Sequence, residues 1–185
     1  MVVPYRKPQT KPEDGCAAYL DVIAGQGGVW LGALLLLDRC GRPLEFAHNR
    51  TAPPGGWMWP ADLEAGACVA AIAHSLFDTC RRDPDLVVCQ HTLGPRDYLR
   101  AEIAPSIPML VVWPAADGRI QRDWVNDPPT QGMRAHGLAP ELEARGFLFE
   151  PFRRIRRGLR ELYPDDFTAD DTDELMEDET DDSLP

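Results

Sequence analysis

The sequence predicts an α/β (α+β) domain whose mixed sheet of about five strands begins with an antiparallel three-stranded meander. Three observations predict it. Apolar segments at 17–24, 29–38 and 43–49 follow one another across short glycine-containing turns, "GQGG" and "DRCGRP". Behind them, a segment of helical period alternates with short runs rich in β-branched residues, "LVVC" and "MLVVW". The hydrophobic fraction of 44% over 185 residues is sufficient for a core.

Each element has its own local reason. "AYLDVIA" is the first strand. "VWLGALLLLD" is the second, and its run Leu34–Leu37 is apolar at consecutive positions, the pattern of a central strand covered on both faces. Gly41 suits the positive φ of the next turn. "PLEFAHN" is the third strand, with Leu44 and Phe46 expected on one face and Glu45 and Ala47 on the other. "RTAPPGGWMWP" reads as loop by its Pro and Gly. A helix is expected from about Pro60 to Arg82, with Asp62 and Glu64 in its first turn and Cys68, Ile72, Leu76 and Cys80 as a buried stripe. "LVVCQ" is the fourth strand, "GPRDYLRAEIA" a short helix and "PMLVVW" the fifth strand. From Pro114 to Leu138 no period is sustained, and the segment reads as loop. "APELEARG" is a short helix stopped at Gly146. "EPFRRIRRGLRELY" is a final helix with Phe152, Ile155, Leu159 and Leu162 on its apolar stripe.

The expected organisation is a flexible N-terminal arm over 1–15, a single α/β domain over 16–163, and a disordered acidic tail over 164–185. The net charge of −11 is concentrated in that tail: 12 of the 30 acids lie from Glu161 onward with no Lys or Arg among them, so 18 acids face 19 bases in the rest. The body is nearly neutral, and the global acidity therefore says little about what it binds. No run of about 18 apolar residues exists, which excludes a transmembrane helix from the expectation. The N-terminus has no apolar stretch of signal-peptide type. Five widely spaced cysteines without a C-x-x-C are expected to be reduced thiols packed as small hydrophobes, in a cytoplasmic protein.

The order β-β-β-α-β-α-β resembles the first part of the ribonuclease H-like fold. That resemblance implies a metal-dependent nuclease or phosphoesterase, with carboxylates on the first strand, the first helix and the end of the fourth strand holding two divalent metals. Asp21 matches the first position, and Glu64 or Asp62 the second. At the third, "VVCQHT" offers Gln90 and His91 and no acid, so the expected catalytic candidates are Asp21, Glu64 and His91 with an incomplete metal set. The hairpin "GALLLLDRCGRPLEF" also resembles that of profilin- and roadblock-type scaffold modules, which implies protein contacts, although the helix those modules place before it is a strand here. Cys89 and His91, two apart, are a further pair that Cys40 or His48 would have to join to hold zinc; buried thiols are the commoner outcome. The expectation is therefore no metal and no cofactor.

Two features point to partners. Arg153, Arg154, Arg156, Arg157 and Arg160 crowd one helix, with Arg153, Arg156, Arg157 and Arg160 expected as a basic face able to grip phosphates, masked by the acidic tail. Trp57 and Trp59 stand in a Pro-flanked loop, either as an anchor for a partner or as a cap on the sheet. The reading favoured is a non-enzymatic accessory or regulatory protein that binds a protein partner through these features, with a nucleic-acid-processing assembly as one setting for it and with no membrane partner.

Overall fold

A computed structural model of the chain describes residues 15–52, 61–103 and 106–168, with side chains from residue 65 onward in the first helix. The N-terminal arm to residue 14, the loop bearing Trp57 and Trp59, the side chains of Asp62 and Glu64, and the tail from residue 169 lie outside the described residues.

Strand β1 (Cys16–Ala24), β2 (Trp30–Asp38) and β3 (Pro43–Thr51) form the expected meander. Helix α1 (Ala61–Thr79) leads to β4 (Leu86–Gln90), which pairs in parallel with β1; α2 (Arg96–Glu102) leads to β5 (Met109–Pro114), parallel to β4. A sixth strand, β6 (Ile120–Trp124), returns antiparallel to β5, and α3 (Arg134–Ala144) and α4 (Glu150–Leu162) close the domain. The sheet order is β3-β2-β1-β4-β5-β6, so the first five strands have the ribonuclease H-like arrangement.

The alternation in "CAAYLDVIA" sorts the two cores. Ala18, Leu20 and Val22 face α1 and α2, where they meet Ile72, Leu76 and Leu99. Ala17 and Tyr19 face α3 and α4, where they meet Leu138, Phe152, Ile155 and Leu159. The sheet is thus a middle layer between two pairs of helices, and Leu34–Leu37 are all buried, as a strand covered on both faces requires.

Several expectations are corrected. β6 and the start of α3 occupy the stretch read as loop. β6 is "IQRDW", whose three central residues are exposed, so it carries too little apolar alternation to be seen as a strand. α1 ends at Thr79, with no basic residue in its last turn; the Arg81 amide beyond it donates to the Glu45 carboxylate at 3.0 Å. Leu44 and Phe46 do not share a face. A bulge between Leu36 and Leu37 shifts the pairing opposite Pro43–Glu45, Leu44 packs with the α1-side core, and Phe46 lies against α4. The described chain continues past Tyr163 as a 3-10 turn, Pro164–Asp166.

α1 packs closely over β2 at Gly32. A Cβ at Gly32 would stand 2.3 Å from the Ile72 Cγ2 and 3.2 Å from the Val22 Cγ2. Gly32→Ala is expected to destabilise the protein by about 1–2 kcal/mol through overpacking, read as a lower urea midpoint with an unchanged m-value.

Candidate functional site

Only three polar residues are buried among those described: Asp21, Asp38 and Gln90, at 3%, 1% and 6% exposure. Asp38 is spent locally. Its carboxylate accepts from the Cys40 and Arg42 amides and from the Arg42 guanidinium, and it holds the β2–β3 turn.

Asp21 and Gln90 make a site. Residue parity sends both side chains to the α4 face, because Tyr19 on β1 and Val88 on β4, two residues earlier in each strand, belong to that core. β1 and β4 are neighbouring parallel strands with Leu20 opposite Cys89, which brings the next residue of each together. From α4, Arg156 reaches down to both. Its Nε is 3.2 Å from the Asp21 Oδ2, and its terminal nitrogen is 3.5 Å from the Gln90 Oε1. The Asp21 side chain is 4% exposed and that of Arg156 38%, so the guanidinium closes the carboxylate off from solvent. Burial pushes the Asp21 carboxyl above its ordinary range, and the Arg156 charge acts against that shift without cancelling it.

The edge of the site is a ladder between β3 and the end of α4. The Phe46 ring carbon Cζ lies 3.0 Å from where a Cβ on Gly158 would stand, His48 Nδ1 is 2.8 Å from the Tyr163 hydroxyl, and Arg50 forms a bidentate pair with Asp166 at 2.7 and 3.0 Å. Arg50 holds the Asp166 carboxyl below its ordinary range. From Phe46 to Arg50, every second residue of β3 therefore fastens α4 and the turn after it, which holds Arg156 over Asp21.

The expected basic face of α4 is largely taken up by the protein's own groups. Arg154 donates to Glu150 and to the Gly41 carbonyl and lies over the Phe147 ring. Arg156 holds Asp21. Arg157 pairs with Glu161 at 3.5 Å, and Arg160 lies over the ring of Phe167. Arg153 and Arg157 are the exposed members of the set.

Of the catalytic candidates, Asp21 stands at the site. Glu64 lies in the first turn of α1, outside the described side chains. His91 does not join Asp21: it is exposed in a 3-10 turn after β4, its ring 6.4 Å from that of Trp113. Nor does it share a face with Cys89, which is buried toward α1. Among the described residues, no three His, Cys, Asp or Glu side chains gather as a metal site, and the described cysteines are unbridged. His74 Nε2 meets the Glu102 carbonyl.

No protein-family model matches this chain, and no curated protein matches it. Among solved structures it is similar to an endonuclease V from Bacillus subtilis. The identity is 10%, the TM-score is 0.35, and the match covers 52% of this chain and 43% of that one. This chain thus spans less than half the length of the protein it matches. The fold rests on strand order and not on that superposition. No helix among the described residues is long and apolar enough to cross a membrane.

Proposed function

We propose that this chain is a non-enzymatic accessory or regulatory protein that acts by binding a protein partner. One observation carries the reading: the Arg156 guanidinium sits 3.2 Å from the buried Asp21, where the ribonuclease H-like arrangement would place a metal, and β4 ends in Gln90 instead of an acid. A neutral amide and a fixed cation beside Asp21, the one carboxylate at this position among the described side chains, oppose divalent-metal binding, since Mg²⁺ is held by carboxylate charge. The exposed outward face of α4, which carries Arg153 and Arg157, is the surface proposed to meet that partner, within a nucleic-acid-processing assembly or elsewhere.

The experiment is hydrolysis of single- and double-stranded DNA and RNA with Mg²⁺ or Mn²⁺, comparing the wild type with Asp21→Asn. The expected result is no hydrolysis that depends on Asp21. Asp21-dependent cleavage would turn the assignment to the second reading, a metal-dependent nuclease or phosphoesterase, which the central place of Asp21 in this strand order favours.

A separate prediction concerns the tail. Asp166 and Phe167 already engage Arg50 and Arg160. Removing residues 164–185 is expected to raise the salt concentration at which the protein leaves heparin or DNA, because each basic group released adds a phosphate contact. Unchanged elution would show that the tail masks nothing.

A further inference from the structure

On the opposite face of the sheet from Asp21, between α1 and α2, lies a cavity of about 670 Å³ that the reading above does not use. Its place is chemically informative. Val22 near the end of β1 and Leu93 just after β4 form its floor. From those carboxyl ends the chain leaves in opposite directions, β1 to β2 on one side and β4 through α2 to β5 on the other. A volume in the range of a few hundred Å³ suits a small molecule.

The walls are built. On α1, Ala65, Gly66 and Ala70 present little side chain, which is what leaves the space. The Tyr98 hydroxyl of α2 donates to the Gly66 carbonyl at 2.5 Å and ties the two helices across the cavity. Gly94 has φ +154°, and a Cβ there would meet the Tyr98 ring at 2.8 Å, so this glycine is required for the ring to lie where it does. Trp30 and Val69 add apolar surface.

The charge of the lining selects the ligand. Among the described residues no Lys, Arg or His lines the cavity; the ionisable groups there are the exposed Glu102 and the Tyr98 phenol, whose pKa is raised by burial and by Glu102. A phosphate or carboxylate would find no counter-charge there. We infer that this cavity binds a small, mainly apolar amine, with its ring between the helices and its ammonium at Glu102. The site is independent of the Asp21 cluster, and neither depends on the other being right.

The test uses three matched probes, 2-phenylethylamine, 2-phenylethanol and 3-phenylpropionate, titrated into the full chain while the Val22 and Val69 methyl signals are followed by NMR. The expected order is amine, then alcohol, then carboxylate, with saturable shifts at both valines. Glu102→Gln should abolish the amine's advantage over the alcohol, about three- to fivefold for a solvent-accessible ion pair, and leave the alcohol unchanged. Ala70→Phe, checked for a native unfolding transition, should abolish binding of all three. No saturable shift at the two valines in the wild type would overturn the proposal, with or without that variant. Carboxylate binding as tight as the amine's would overturn it too, as would an amine preference that survives in Glu102→Gln.

Discussion

Phe152→Ala is expected to lower the unfolding free energy by about 3–5 kcal/mol, the range for truncating a fully buried aromatic residue. Phe152 is 1% exposed and is the anchor of α4. Its ring meets Tyr19 edge to face with centroids 5.6 Å apart and Phe149 at 5.8 Å. Tyr19 is itself fixed, since its hydroxyl donates to the Phe147 carbonyl at 2.5 Å. The hole left by the ring therefore has rigid walls on the strand side and collapses poorly. Arg156 lies one turn beyond Phe152 on the same helix, so loosening α4 also loosens the cover on Asp21. Urea unfolding measures the loss; a loss under 1 kcal/mol would mean that α4 is not held by this contact.

Arg156→Met is expected to cost about 2–3 kcal/mol at neutral pH. Removing one partner of a fully buried ion pair costs about 3–5 kcal/mol, and the figure here is lower because the partly exposed guanidinium already meets water. Almost all of the cost comes from the stranded Asp21 carboxylate and not from lost packing, because Met keeps much of the side-chain stem. Asp21→Asn in the same background should therefore restore most of the stability. The pH dependence follows from the direction of the Asp21 shift. Its folded-state pKa lies above the unfolded value, and in Arg156→Met it rises further because the one nearby cation is gone. The folded protein then keeps a proton that the unfolded chain has released, so stability falls as pH rises through the window between the two values. The gap between wild type and Arg156→Met should be largest above the raised pKa of the variant and should close as pH falls through and below it. A gap independent of pH would assign the loss to packing alone.

The meander, the crossovers and the central covered strand were legible because period-two alternation and the four-residue stripe on α1 are strong signals. β6 was not, since its stability comes from pairing with β5 and its outer residues are polar. The site was half legible. Asp21 stood out by its place on β1, and the missing acid at Gln90 was visible in "VVCQHT". The role of Arg156 was missed because the arginines of α4 were grouped as one basic face opposite the apolar stripe. At about 100° per residue, Arg156 lies only about 40° around the helix from Phe152, nearer the stripe than any other arginine of the cluster. A buried acid on the facing strand was the other half of that signal, and the two meet only once the strand order places β1 under α4. The ladder from β3 to Tyr163 and Asp166 shows the same limit. Phe46, His48 and Arg50 alternate in the sequence, but nothing local says that the turn after α4 returns to them.

The most direct measurement of the central claim, that Arg156 and Gln90 close the Asp21 position to metal, is a calorimetric titration of Mn²⁺ into the wild type and Asp21→Asn. The account predicts superimposable isotherms, with any weak uptake by surface acids common to both. Saturable Mn²⁺ binding present in the wild type and absent from Asp21→Asn would contradict it.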